Sequence, residues 1–145
     1  MKTWQLVLVG CLVAGPVAAE PLPIVERAAR YLWEGNRFNA DGASWCADFA
    51  VHVLGEDLPV APSRSAKALY NAFAKAGRLT NEPQPGDLIF FWRESPSSWK
   101  GHVGIVAAVD ADTIATIEGN VTGRVTQRFY RRRAVPQLLG YGRVN

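Results

Sequence analysis

The feature that most narrows the fold is a change of hydrophobic period near Pro85. Before it, apolar residues recur at spacings of three and four; after it, they fall into strand-length runs separated by polar breaks. Asp87-Leu88-Ile89-Phe90-Phe91-Trp92 is a continuous apolar run after the Pro85-Gly86 turn, and it reads as a buried central strand. Further strands are expected at His102 to Val109, Thr113 to Glu118, Arg124 to Tyr130 and Leu138 to Val144, with Arg93 to Lys100 as a polar loop and Asp110 to Asp112 as a tight connection. Upstream, helices are predicted from Ile24 to Trp33, from Trp45 to a stop at Gly55, and from Arg64 to Ala76, with Ser63 as N-cap and Gly77 as terminator. Helices first and strands afterwards predict an α+β domain, its helices packed on one face of a five- to six-stranded antiparallel sheet.

Residues 1 to 19 stand apart. Lys2 precedes an apolar run from Leu6 to Ala19, and Val17-Ala18-Ala19 offers a small-residue cleavage site before Glu20. The run is shorter than the ~20 apolar residues that span a bilayer, so it reads as a secretory signal peptide rather than an anchor. Leu8-Val9-Gly10-Cys11 resembles a lipoprotein box, but the cysteine comes early and the apolar run continues past it. Soluble export to a periplasmic or extracellular location is expected, with residues 20 to 145 forming one domain. Cleavage removes Cys11 and leaves Cys46 as the lone cysteine in an oxidising compartment, where no internal disulfide can form.

Cys46 falls in the first turn of a helix for which Ser44 is the expected N-cap. A thiol there sits beside unpaired backbone N–H groups at the positive end of the helix dipole, and both favour thiolate. Cys46 shares its helical face with Ala50 and Val53 and so points inward. Asp48 and His52 lie on the opposite side as an i, i+4 surface pair, which argues against His52 as a partner base. Burial as a small inert hydrophobe is the competing account of Cys46.

The other histidine heads the second strand. In Gly101-His102-Val103-Gly104-Ile105-Val106, alternation puts His102 on one face with Gly104 and Val106, and the small Gly101 and Gly104 leave room for the ring. The next strand ends Ile117-Glu118-Gly119-Asn120. If it stays extended, Glu118 and Asn120 point the same way, and either could fix the imidazole through Nδ1. A thiol, a base that activates it and a polar group that orients the base form the expected nucleophilic arrangement.

Taken together, Trp45-Cys46-Ala47-Asp48-Phe49, Pro85-Gly86-Asp87-Leu88-Ile89-Phe90-Phe91, Gly101-His102-Val103-Gly104-Ile105-Val106, Glu118-Gly119-Asn120 and Gly140-Tyr141-Gly142-Arg143 resemble the CHAP family. These are the cysteine- and histidine-dependent amidohydrolases and peptidases, grouped with the NlpC-type peptidases on a papain-like fold. The resemblance implies cleavage of amide bonds in peptidoglycan, at the N-acetylmuramoyl-L-alanine amide or within the stem or cross-bridge. It implies Cys46 as nucleophile, His102 as general base, and Glu118 with Asn120 as the orienting pair; no cofactor follows from it. The backbone N–H of Cys46 is the natural oxyanion donor. A noncatalytic wall-binding or partner-binding module on the same fold, or a papain-like hydrolase of a non-wall substrate, remains as the alternative.

Three smaller expectations concern partners. Trp92 and Trp99 bracket the loop before His102 and, with Trp45 beside Cys46, are candidates to line a sugar or peptide groove. Asn39-Ala40-Asp41-Gly42 and Asp48 resemble a calcium loop faintly, but supply too few oxygen ligands for a site that needs six to eight, so no metal is expected. Without its leader the chain carries 15 basic against 13 acidic residues, a net of +2, yet Arg124, Arg128, Arg131, Arg132 and Arg133 gather near the C-terminus. That cluster suits an anionic wall polymer or, more simply, an arginine-blunted sheet edge. With only Phe129 and Tyr130 available for stacking, nucleic acid is not expected. The sequence specifies no inhibitor or immunity protein.

Overall fold

The computed structural model describes residues 22 to 145, so the leader reading of residues 1 to 19 falls outside the described residues. Its helices are α1 (Ile24–Ala29), α2 (Cys46–Leu54) and α3 (Ala66–Lys75), with a 3-10 turn at Gly55–Asp57. Six strands follow: β1 (Leu79–Thr80), β2 (Leu88–Trp92), β3 (Gly101–Val109), β4 (Thr113–Val121), β5 (Arg124–Arg131) and β6 (Leu138–Gly142). They form one antiparallel sheet in the order β1-β6-β2-β3-β4-β5. The α+β reading holds.

All three helices pack on one face. Leu88, Phe90, Val103, Ile105, Ile117 and Val125 meet the buried faces of α1 (Ile24, Ala28), α2 (Phe49, Ala50, Val53, Leu54) and α3 (Leu69, Phe73). The other face carries a smaller core of Ile89, Phe91, Val106, Ile114 and Tyr141, covered by Tyr130, Val135 and Leu138. Burial on both sides explains why β2 reads as unbroken apolar sequence rather than as an alternation. Helix α2 lies so close to β4 that a Cβ on Gly119 would come within 2.6 Å of the Phe49 Cβ. Glycine at that position therefore sets how near the Cys46 helix can approach the strand carrying Glu118.

Several local expectations need correction. Helix α1 ends at Ala29 instead of reaching Trp33, because the following residues turn and the Trp33 N–H pairs with the Val125 carbonyl on β5. The N-cap of α3 is Ser65, whose Oγ accepts from the Ala68 N–H at 3.1 Å, while Ser63 Oγ accepts from the Ser65 N–H. The residue before Cys46 at the start of α2 is Trp45, which makes no side-chain cap; Ser44 lies one position too early. Strand β1 is only two residues long and lacks a sequence signature. Strand β4 runs on to Val121, past Glu118.

The Pro85-Gly86-Asp87 turn and the C-terminal Gly140-Tyr141-Gly142-Arg143 stretch are tied by one side chain. Asp87 is 1% exposed. It accepts from Arg143 Nε at 3.0 and 3.1 Å, from the Val144 N–H at 3.2 Å and from the Gln84 N–H at 2.9 Å. Replacing it strands two backbone donors and a guanidinium that is only partly in solvent. Asp87→Ala is therefore expected to cost about 3 kcal/mol of stability in chemical denaturation, with the denaturant slope unchanged. A loss within the ordinary ~0.5 kcal/mol of a surface substitution would contradict this role.

Candidate active site

Cys46 opens α2 and is 4% exposed at the floor of a cleft of about 840 Å³. Ser44, Arg64, Ser65, Arg93, Trp99, Lys100, His102, Asn120 and Arg128 contribute to its walls. His102 lies near the start of β3, on the strand that pairs β2 with β4, and its ring packs 5.7 Å from the ring of Phe91. The helix N-terminus and the strand head thus meet at one end of the sheet.

Behind the imidazole stands Glu118, with no solvent exposure. An ionised carboxylate so placed needs compensation for lost hydration, and it has three donors. His102 Nε2 lies 2.9 Å from Oε2, the Thr116 hydroxyl donates to Oε1 at 2.7 Å, and the Tyr130 hydroxyl donates to the same oxygen at 2.6 Å. Gly104 makes room for this carboxylate: a Cβ there would fall 2.6 Å from Glu118 Cγ.

The ring nitrogen that meets Glu118 is Nε2, not Nδ1 as expected, which leaves Nδ1 for the thiol side. Asn120 does not share the Glu118 face. The β4–β5 register shifts between Glu118 and Val121, and Asn120 adopts φ 60°. This bulge breaks the two-residue period and turns Asn120 into the cleft, where its amide donates to Ser44 Oγ at 3.4 Å. Glu118 alone of the two therefore contacts His102. Ser44 Oγ lies 4.0 Å from the Cys46 sulfur.

The electrostatics follow from this packing. Burial opposes the imidazolium, but the hydrogen bonds and charges of Cys46 and Glu118 outweigh it and hold His102 up at about 9. Burial likewise pushes the Cys46 thiol up, yet the His102 hydrogen bond and charge, the Val103 backbone and the Ser44 hydroxyl bring it below the ordinary thiol value. Burial raises Glu118 too, and His102, Tyr130 and Thr116 reverse that to hold it below the ordinary carboxylate value. Tyr130, desolvated and bonded to Glu118, stays protonated well above the usual phenol range. A raised histidine stabilises the fold fully below its ordinary value and loses that contribution as pH rises through about 9. A depressed carboxylate stabilises above its ordinary value and loses the contribution as pH falls through the lowered one. Between these limits the His102–Glu118 pair is charged, and an imidazolium stands beside the Cys46 sulfur.

The remaining predicted residues lie as follows. Trp99 is 75% exposed at the cleft wall. Trp45 is 3% exposed and stacks on Phe38, and half-buried Trp92 does not line the cleft, so neither forms the groove expected of it. His52 pairs with the Tyr31 hydroxyl at 2.8 Å rather than with Asp48. Asp48 instead accepts from Asn39 Nδ2 and from Arg64 Nε. Arg64 also donates two hydrogen bonds to Asp41, which hold that carboxyl down at about 2. The acids that faintly resembled a calcium loop thus face a guanidinium. The arginine run divides along the edge strand: Arg124 donates to the Trp33 carbonyl, Arg128 lines the cleft, and Arg132 pairs with Glu82. The sequence reading omits Thr116, Arg64 and Arg93 from the site, and it gives Arg128 and Tyr130 only as members of the arginine-rich stretch. Only Thr116 carried a usable signal, two residues before Glu118 on the same strand face.

A model of the CHAP domain family matches residues 38–120, which include Cys46, His102, Glu118 and Asn120. Among solved structures, the crystal structure of Ly7917 superposes with a TM-score of 0.61 at 18% identity, over 82% of this chain and 60% of that one. Ly7917 with the hydrolyzing product of MDP gives 0.56 at 21% identity, over 81% and 60%. The chain thus spans about 60% of the length of that protein, and at these identities the likeness is one of fold. No curated protein matches the chain.

Tyr130→Phe keeps the ring and removes one donor from Glu118. It is expected to raise the Glu118 carboxyl toward its ordinary value and so move the acid limb of the stability–pH profile upward, as followed by denaturation at a series of pH values. Glu118→Gln is expected to bring His102 down from about 9, as read by imidazole NMR. An unmoved imidazole in Glu118→Gln would contradict the assignment of Glu118 as its partner.

Proposed function

The chain belongs to the CHAP domain family, and from that premise we propose that it is a cysteine amidohydrolase acting on peptidoglycan. The observation that carries the proposal is the Cys46, His102, Glu118 alignment at the end of the sheet, open to a cleft on the thiol side and closed by Tyr130 and Thr116 on the carboxylate side. Ly7917 with the hydrolyzing product of MDP, a peptidoglycan fragment, supports a wall substrate. The scissile bond belongs to the N-acetylmuramoyl-L-alanine amide or to the stem or cross-bridge peptide. The leader-like sequence of residues 1 to 19 supports a reaction outside the cytoplasm.

The steps follow from the residues. The Cys46 proton rests on His102, and the thiolate adds to the amide carbonyl carbon as the C–O π pair moves onto oxygen. The backbone N–H of Cys46, at the start of α2, faces the developing oxyanion. When the tetrahedral species collapses, the C–N bond breaks and imidazolium Nδ1 donates its proton to the departing amine. Water then loses a proton to neutral His102 and attacks the thioester, releasing the carboxylic acid and returning the thiolate–imidazolium pair. Glu118 keeps Nε2 protonated and the ring aligned at each stage; it acts through His102 and does not touch the substrate. Asn120 and Trp99 meet the substrate along the cleft wall.

Cys46→Ala is expected to reduce hydrolysis of purified peptidoglycan by about 10⁴-fold or more while leaving the fold intact. Mass spectrometry of the digest identifies the bond. New amine and carboxyl termini that require Cys46 support the proposal; their absence across several wall chemistries, with folded protein, overturns it. The acid step requires imidazolium, so turnover is expected to fall as pH rises through about 9.

A further inference from the structure

The cationic groups of the cleft are not equivalent. Arg64 is bonded to Asp41 and Asp48, and Lys100 is bonded to Glu94. Arg93 and Arg128 have no acidic partner among the described residues. They come from strands far apart in sheet order, Arg93 from the residue after β2 and Arg128 from β5, yet both line the Cys46 cleft. Each is held by an aromatic ring beneath it, with the Arg93 guanidinium 5.7 Å from the Phe91 ring and that of Arg128 5.6 Å from the Tyr130 ring. Phe91 packs on both His102 and Tyr130, so one platform adjoins the imidazole and the other adjoins the first. Arg93 spends Nη1 on the Trp92 carbonyl and on Gln137 Oε1, both at 3.1 Å, and its remaining N–H groups have no partner among the described residues.

We propose that the cleft selects substrates carrying a free carboxylate near the scissile amide, and that Arg93 and Arg128 bind that carboxylate. The inference rests on the amidohydrolase reading and names its substrate class. A guanidinium presents a planar fork that matches a carboxylate in two parallel hydrogen bonds, and stacking on an aromatic pre-orients it, so less freedom is lost on binding. Among the described residues the one carboxylate bonded to His102 is Glu118, fully buried and already supplied with three donors, so it does not compete for these cations. On a wall stem peptide, the group recognised is an acidic side-chain or α-carboxylate left free. The same position converted to a carboxamide offers no charge to the arginines and places a second set of donors against them.

The test uses the Cys46 thiolate as reporter, comparing its alkylation by iodoacetate, which carries a carboxylate, with that by the neutral iodoacetamide. Arg93→Gln and Arg128→Gln are each expected to lower the iodoacetate-to-iodoacetamide rate ratio about fivefold to tenfold, as one charge-assisted contact is lost. Arg93→Lys and Arg128→Lys restore part of the ratio. Arg30→Gln, which removes the same charge from an exposed site outside the cleft, leaves it unchanged. A ratio unmoved in both glutamine variants overturns the proposal. Because alkylation requires no hydrolysis, this readout is separate from the wall assignment. Paired synthetic stem peptides, carboxylate against carboxamide, give the second arm. A preference of about tenfold for the acid that collapses in the variants supports the proposal, and equal turnover of both by the wild type overturns it. No turnover of either, together with a fallen alkylation ratio, supports the arginine pair while overturning peptidoglycan as the substrate.

Discussion

One buried charge governs the site. Glu118 has no access to solvent, and a carboxylate in that position persists only because an imidazole, a threonine and a tyrosine replace its water. The charge in turn helps to keep His102 protonated, and the protonated ring lowers the Cys46 thiol against its own burial. Burial is unfavourable to every member of the chain taken singly. Each group supplies what the next one lacks, which is why removing a partner two residues or two strands away is expected to be felt at sulfur.

The fold is arranged to make that chain of contacts rigid. Gly104 opens space for the carboxylate on β3, and Gly119 lets Phe49 bring the head of α2 close to β4. Tyr130 reaches Glu118 from β5, so the buried network draws His102 from β3, Thr116 and Glu118 from β4, and Tyr130 from β5. At the other end of the sheet, Asp87 pins the turn before β2 to the segment after β6, fixing the strand that supports Phe91 beneath His102. Arg64 ties Asp41 in the preceding loop to Asp48 on α2 and so holds the cleft's outer lip. Side chains distant from sulfur thus determine the position of groups beside it.

What the sequence revealed and what it hid divide along physical lines. Local period carried the helices and the long strands, because one buried face imposes its spacing on the residues that make it. The Cys46 helix start and the His102 strand head were legible for that reason, as was the α+β order of elements. Strand β1 was not, since two residues cannot show a period. Asn120 was misplaced because alternation fails at a bulge, and nothing in Glu118-Gly119-Asn120 announces the register shift. Ser44 looked like a cap, but its hydroxyl points toward Cys46 and Asn120 instead of the helix amides. Tyr130 and Arg128 belonged, on sequence, to an edge strand dense in arginine. Their approach to Glu118 and to the cleft comes from β4–β5 pairing, a tertiary fact with no local signature.

The central claim is that Cys46 and His102 stand as a thiolate and an imidazolium near neutrality. The most direct test is the ultraviolet thiolate absorbance of the described domain against its Cys46→Ala variant, titrated with pH. A thiolate signal already developed below the ordinary thiol value of 9.0, with His102 retaining its proton up to about 9, is the predicted result. Thiolate that appears only at or above 9.0, with an imidazole that titrates at its ordinary 6.5, would contradict the account.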